Sequence, residues 1–399
     1  KVKHSEYIDI NLNNFNVSKH NYYKPKIIKK NNFKESEFLE ELDYLLEDSV
    51  KSRLLSDSKI GVFLSGGLDS SIISYYAGIE NKNLESYSIS VKEESFDEID
   101  QAKKMSEFFE MKLNHTKLDE DIFKKNFSKI IGLLDEPIGA PTFITMFFLS
   151  ELTSRNVKSV LSGDGADEFF GGYENFNYLS IFRTINYLKM NKAISSLKPL
   201  INFLPISKNN LSLDFKLRRF LQGMSVNELY QNTLFLSPLS IEDFEDLFNE
   251  KLDFSDIFDD LKFFEEDYKD ASYIDKNYLY FVNFYIPDLI CSRADKAGML
   301  NSLEIRSPYL NPKILELMLS IPNDKSNLLK GKRILKLLAL KKFKYDFFKI
   351  KKGEFTYPMQ KWLDVSKIDL GSGKRKVIDG GVLDKKYQIT VPKSWKNND

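Results

Sequence analysis

The sequence predicts an α/β fold, a parallel sheet wrapped by helices, with an additional helical half toward the C-terminus. Three observations carry this. Apolar runs without polar alternation, the mark of strands covered on both faces, sit between stretches of helical periodicity. Strand and helix then alternate to about residue 161, which is how parallel strands are joined through crossover helices. From about residue 178 the alternation gives way to Leu/Phe-rich helical stretches with charged faces.

Residues 1 to about 30 are Asn- and Lys-rich, with short alternating pieces at Tyr7, Ile8 and Ile10; they read as strand and linker. From Ser36 to Leu55 the apolar residues Phe38, Leu39, Leu42, Leu45, Leu46, Val50 and Leu54 recur at helical spacing. Glu37 and Glu40 lie near the positive N-terminal end of that helix. Ile60 to Leu64 is a continuous apolar run, hence a buried strand, and a Gly-Gly turn and second helix follow at once. The spacing then predicts a strand near Tyr87 to Val91, a helix near Asp97 to Phe109, a strand near Lys112 to Leu118, helices to about Arg155, and a strand from Val157 to Leu161. Ile241 to Leu261 and Lys313 to Leu319 represent the helical half. The chain divides accordingly into a preamble (1–34), an α/β core (35–178), a helical half (179–365) and a polar tail (366–399).

The 399 residues are 42% apolar and 29% charged, an ordinary globular composition with material for a large core. Lys plus Arg equals Asp plus Glu at 58 each, so no net field draws the chain to nucleic acid or an anionic membrane. Cys291 is the single cysteine, which fits a reducing cytoplasm and excludes a thiolate metal cluster. Three scattered histidines, His4, His20 and His115, make a zinc site a poor fit. Any metal is expected to be oxygen-ligated magnesium. No run has the apolar length of a membrane span, and the polar start KVKHSEY is unlike a signal peptide.

Two segments carry chemistry. Ser65-Gly66-Gly67-Leu68-Asp69-Ser70-Ser71 leaves the strand IGVFL and enters a helix. Its glycines let backbone approach an anion, the first-turn amides and helix dipole face it, and the Ser65, Ser70 and Ser71 hydroxyls add donors. The lysine of GxxxxGK[ST] is missing, so this is a different phosphate cradle from the P-loop. Asp69 beside phosphate calls for a cation between them, and magnesium answers. The plain alternative is a Ser-capped helix start with a solvated Asp. The second segment, Ser162-Gly163-Asp164-Gly165-Ala166-Asp167-Glu168 followed by Gly171-Gly172-Tyr173, also leaves an apolar strand. Its three carboxylates would raise one another's pKa unless a cation neutralised them. With Asp69 they suggest a magnesium and a proton-handling group. A structural Asx/Gly turn is the alternative, weakened because both turns fall at strand ends, where α/β sheets hold ligands.

SGGLDSS together with LSGDGADEFFGGY resembles the synthetase domain of the asparagine synthetase family, whose relatives include beta-lactam synthetases and lasso-peptide cyclases. RLLSDSKIGVFLSGGLDSS, LDEPIGAPTFITMFFLS, DLICSRADKAGMLNSLEIRSPYLN and KGEFTYP extend the likeness from about Glu35 to about Trp362. SGGxDS alone is shared with GMP, NAD and argininosuccinate synthetases and tRNA-modifying enzymes; the combination is specific. The resemblance implies an adenine nucleotide alpha-hydrolase-like, Rossmann-like core that binds ATP and Mg2+. It implies that Ser65, Gly66, Gly67, Asp69, Ser70 and Ser71 hold the pyrophosphate part, with Asp69 and Asp167 on the metal. Leu64, Ile89, Ser90, Ser162 and Gly163 would flank the nucleotide. Asp164 stands where the family has an acid placed to take a proton from the attacking amine; beta-lactam synthetases have Tyr there, which argues for an amine from outside. Lys352, spaced from Phe355 and Pro358 as in the family, would stabilise developing charge, with Lys351 as its rival. Arg293, Asp295, Lys296, Glu304 and Arg306 match the family's helix and turn before SPYL. They read chiefly as a buried ion network, with a substrate role the minority reading.

Departures matter too. A glutamine-dependent member carries an N-terminal catalytic cysteine and glutaminase domain, and residues 1 to 30 resemble only the tail of one. That domain was removed, sits on a partner subunit, or is absent, leaving ammonia or a substrate amine as nucleophile. The family's DPS is Ala140-Pro141-Thr142 here, which puts aspartate as the substrate in question, and its arginine two places before the lysine is Ile350. The expectation is thus a cytoplasmic carbon–nitrogen ligase of asparagine biosynthesis type, adenylating a small-molecule or peptide carboxylate, with a homodimer as the expected assembly and no nucleic acid or membrane partner. Alternatives are a ligase amidating a sugar acid or cyclising a peptide, and a non-catalytic nucleotide-binding module. A tRNA-adenylating enzyme would want a basic surface.

Overall fold

The apolar run after the first long helix becomes the centre of the sheet. In the computed structural model, which describes residues 2–92, 97–136, 138–197 and 261–347, scattered positions from 217 to 260, Tyr357 and Trp362, β3 (Ile60–Phe63) is buried at every residue. It pairs in parallel with β4 (Glu85–Val91) on one side and β6 (Ser159–Leu161) on the other. β5 (Leu113–Leu118) extends the sheet beyond β4 and β7 (Glu304–Arg306) beyond β6, giving the order β5-β4-β3-β6-β7. The chain leaves β3 in one direction, to β4 and β5, and later returns to its other side for β6. That reversal opens a crevice at the carboxyl ends of β3 and β6, and both glycine-bearing turns begin there.

Helices cover the sheet for the reasons the sequence gives. α1 (Glu35–Arg53) buries Phe38, Leu39, Leu42, Leu45, Leu46 and Val50 along one stripe, with Glu35 and Glu37 in its first turn and Lys51 and Arg53 in its last, each sign complementing the helix dipole. α2 (Leu68–Glu80) and α5 (Thr142–Ser154) are apolar on most sides and correspondingly buried. α3 (Ile99–Phe108) presents a narrower apolar stripe. The long segment from Tyr273 to Met299 is helical throughout and widens to π geometry over Phe281–Cys291, where Pro287 supplies no amide hydrogen.

Internal contacts gather the chain into two compact units. The first draws on Lys1–Asp119, Thr142–Gly172 and Tyr278–Tyr357, and includes the whole sheet. The second draws on the described parts of Glu120–Pro141 and Tyr173–Asn277, with Trp362. Within residues 35–365 the sequence reading places one boundary, at 178, where the strand–helix alternation stops. The fifth strand lies far beyond that point because Glu304, Ile305 and Arg306 are too few and too polar to announce a strand; pairing with buried β6 makes them one. In the second unit α4 (Glu120–Gly132) buries Phe123 against Trp362, ring centroids 5.6 Å apart. Phe182, Met224 and Phe235 form a further core there. Buried Gln231 exchanges hydrogen bonds with Asn186 at 3.1 and 3.0 Å and accepts one from Tyr273 at 3.0 Å. Most of Ile241 to Leu261 lies outside the described residues, whereas Pro312–Leu319 is a helix as expected.

Strand character in the preamble takes the form of an antiparallel hairpin, β1 (Glu6–Ile10) with β2 (Val17–Asn21), largely exposed. No helix among the described residues is long and apolar enough to cross a membrane.

Candidate active site

The turn after β3 is built on a glycine that nothing else could replace. Gly66 has φ +81°, and a Cβ there would overlap the backbone of Gln101 in α3, so both conformation and space demand glycine. The serines knit the turn together. Ser65 Oγ accepts from the Gly67 amide at 3.2 Å, Ser70 Oγ accepts from the Ser65 amide at 3.2 Å, and the two hydroxyls are 3.2 Å apart. Gly67 precedes α2 without a side-chain cap, leaving the positive helix end and its first-turn amides facing the crevice, an arrangement suited to an anion. Ser70 and Ser71 are both buried in the first turn of α2, Ser71 completely. Leu64, Ile89 and Ser90 are buried at the ends of β3 and β4, with the Ser90 hydroxyl donating to Asp97 at 2.9 Å.

The turn after β6 meets the first one closely. A Cβ on Gly163 would come within 3.1 Å of both Asp69 Cβ and the Ser70 amide nitrogen, so the two turns lie against each other through a residue without a side chain. Gly165, at φ +93°, leads into α6 (Ala166–Phe169), which carries Asp167 and turns Glu168 into the interior.

Asp69 and Asp167 converge on one point, and a lysine occupies it. The Lys332 ammonium donates to Asp69 Oδ2 and lies 2.7 Å from Asp167 Oδ1. Lys332 is only 5% exposed, whereas each carboxylate keeps about a quarter of its side chain open to solvent, 25% in both cases. Burial alone would pull the ammonium down; attraction to Asp167 and Asp69 and the hydrogen bonds to both outweigh it and hold the group above its ordinary value. Two local features hold the lysine there. Gly331 and Lys332 both adopt left-handed φ of 58°, with the Gly331 amide donating to Gly171 O at 3.0 Å. A Cβ on Gly172 would overlap Asp167 Oδ1 and Lys332 Cε. Fully buried Tyr309 donates to the Asp69 carbonyl at 3.2 Å, and burial followed by the nearby Asp69 charge pushes its hydroxyl well above the usual range. Sequence reasoning singled out neither Lys332 nor Tyr309; the glycine before Lys332 is the local signal available for the lysine.

These residues suit a hard divalent ion. Asp69 and Asp167 are oxygen donors near enough to share one cation, and among the described residues no group of three or more His, Cys, Asp or Glu could hold a metal. Magnesium bound by two carboxylates and completed by phosphate and water matches such a donor set.

Asp164 lies in a second network. Its Oδ1 accepts from Arg293 Nη2 at 2.5 Å and its Oδ2 from the Ser162 hydroxyl at 2.8 Å. Arg293 Nη1 donates to Thr142 Oγ1, the first residue of α5, at 3.0 Å. Arg293 and Asp164 are 11% and 15% exposed. The sequence reading treated Arg293, Asp295, Lys296, Glu304 and Arg306 mainly as one network. Arg306 instead pairs with exposed Glu304 at 2.9 Å and donates to the carbonyls of Arg53 and Leu55, while Arg293 belongs to Asp164. Cys291, just before this helix, has its thiol pushed up to about 11 by burial and by the charges of Asp164 and Glu168. Lys351 and Lys352 lie outside the described residues.

A Mycobacterium tuberculosis protein provisionally named asparagine synthetase (glutamine-hydrolyzing) is 27% identical over 286 residues, covering 71% of this chain and 42% of that protein. Asparagine synthetase (glutamine-hydrolyzing) 1 of Bacillus subtilis is 27% identical over 294 residues, 73% of this chain and 45% of its own. The chain thus spans less than half the length of these relatives. Among solved structures, an NMN synthetase from Francisella tularensis overlaps 36% of this chain and 60% of its own at TM-score 0.22 and 14% identity, too little to carry an argument. The model of the asparagine synthase family matches residues 41–378, most of the sequence and both turns described above, and the chain belongs to that family.

Proposed function

We propose that the chain is an ATP-dependent amide ligase that joins a carboxylate to ammonia or an amine by way of an acyl adenylate, releasing AMP and pyrophosphate. The observation that carries the reading is the meeting of two glycine turns at the β3/β6 crevice, with Asp69 and Asp167 directed at a single cation position. Family membership supports the ligase class.

A carboxylate is a poor electrophile, and a mixed anhydride with AMP gives it a good leaving group. In the first step a carboxylate oxygen attacks the α-phosphorus and pyrophosphate departs. The turn amides and the Ser65 and Ser70 hydroxyls would grip the leaving phosphates, and Lys332 and Lys352 would bring positive charge toward them. Magnesium, held by Asp69 and Asp167 when bound, offsets phosphate charge. In the second step the amine attacks the acyl carbon, the bond to AMP breaks, and Asp164 receives the amine proton. The nitrogen source is ammonia or a substrate amine, with a glutaminase domain or subunit as a further supplier. Ala140 in place of the family's aspartate favours an acid other than aspartate.

The test is pyrophosphate release with ammonia across a panel of carboxylic acids that includes aspartate. Release that depends on one of the acids is expected. Nucleotide binding without turnover on any acid would replace the proposal with a binding module.

A further inference from the structure

A carboxylate that takes a proton in one step of a reaction must offer one oxygen and keep its plane fixed while the other partner approaches. Asp164 is anchored unequally at its two oxygens. Oδ1 is held by the guanidinium of Arg293 at 2.5 Å, and Oδ2 only by the hydroxyl of Ser162 at 2.8 Å. That hydroxyl oxygen already accepts from the Asp164 amide at 3.3 Å. The fork of Arg293 is fixed at its other arm by Thr142 Oγ1 at 3.0 Å. Guanidinium cannot surrender its charge or act as an acceptor, whereas a hydroxyl rotates and serves as either. Oδ1 is therefore committed and Oδ2 can gain a hydrogen, because Ser162 can turn its own hydrogen away.

We infer that Arg293 is a positioning residue for the amide-forming half of the reaction: it pins Oδ1 of Asp164 so that Oδ2 faces the amine as the proton acceptor. The inference rests on the ligase reading. The step balances simply. The amine lone pair forms the new C–N bond, the C–O bond to AMP breaks and its electrons leave with the phosphate, and one N–H proton passes to Oδ2. Adenylate formation moves no proton to Asp164 and does not require the clamp.

The two half-reactions can be read separately in Arg293→Ala and Arg293→Lys, made in the full chain and checked for unchanged melting. Acid-dependent exchange of labelled pyrophosphate into ATP reports adenylate formation; product amide reports the second half. For Arg293→Ala, exchange is expected to stay close to wild type while amide formation falls by roughly 100-fold, the low end of what a proton acceptor contributes. Added methylguanidinium should restore part of the lost rate. Arg293→Lys, which keeps the charge but not the fork, should lie between. A parallel fall of both half-reactions in the two variants, wild-type amide formation in Arg293→Ala, or a loss that methylguanidinium leaves unchanged would each overturn the role of Arg293. Wild-type protein without acid-dependent exchange would instead sink the ligase reading itself.

Discussion

Replacing Lys332 by methionine keeps the unbranched stem, one atom shorter, and removes the charge on which Asp69 and Asp167 converge. Two like unit charges about 5 Å apart repel by about 3 kcal/mol at an effective dielectric near 20. Breaking a buried ion pair from one side costs about 3–5 kcal/mol. Both aspartates keep 25% of the side chain open, so water recovers part of this, and a loss of about 2–3 kcal/mol at pH 7 is expected. The pH dependence gives a sharper test. In the wild type the Lys332 group is raised above its ordinary 10.5, so its contribution is full below that value and is lost only as pH climbs through the higher folded one. Between pH 7 and 5 the wild-type contribution is flat. In the variant the uncompensated carboxylates raise each other's pKa, and protonation at pH 5 relieves them, so the deficit should shrink on acidification. Urea unfolding followed by circular dichroism at both pH values measures it. Millimolar magnesium should also restabilise Lys332→Met, and fail to do so when Asp167→Asn is added. A deficit below about 0.5 kcal/mol at pH 7, within the range of ordinary surface substitutions, or one of equal size at pH 5, would refute the bridging role.

Other expectations follow from the same geometry. Gly172→Ala should weaken nucleotide binding and lower the melting temperature together, because its methyl would overlap Asp167 and Lys332; calorimetric titration with ATP and a melt report both. Lys352→Ala should spare ATP binding and slow adenylate formation by about 3 kcal/mol, read by pyrophosphate exchange, and an unchanged rate would pass the role to Lys351. Cys291, with its thiol pushed up to about 11, should alkylate slowly at pH 8 and faster as pH rises toward 11; rapid iodoacetamide labelling at pH 8, followed by mass spectrometry, would contradict the burial and charge that raise it.

What was legible in the sequence was local. IGVFL announced a buried strand, and the turns SGGLDSS and SGDGADE announced themselves through glycine, serine and carboxylate within a few residues. Each of those signals is short-range physics: backbone freedom, helix-end amides, and like charges that need a partner. The partners themselves come from far along the chain. Lys332 reaches Asp69 across 263 positions and Arg293 reaches Asp164 across 129, and no local pattern separates either from an ordinary surface cation. The same holds for β7, a strand only because β6 lies beside it.

The sequence required a cation between Asp69 and the phosphates, and the fold supplies one of its own between Asp69 and Asp167. Two carboxylates and one ammonium leave a net charge of minus one, which by itself would repel a triphosphate. A divalent ion held by the two carboxylates with Lys332 still in place would turn that balance to plus one; without the lysine it would reach only zero. On the proposed ligase reading Lys332 would not have to be displaced for magnesium to act, and it would let the two aspartates hold a metal without cancelling all of its charge. Divalent-ion affinity in this reading is weak before nucleotide arrives, since the ammonium already holds one oxygen of each carboxylate. It rises when phosphate oxygens complete the coordination. Titrating Mn2+ with and without a non-hydrolysable ATP analogue, followed by electron paramagnetic resonance, measures the difference, and tight Mn2+ binding to the nucleotide-free protein would contradict it.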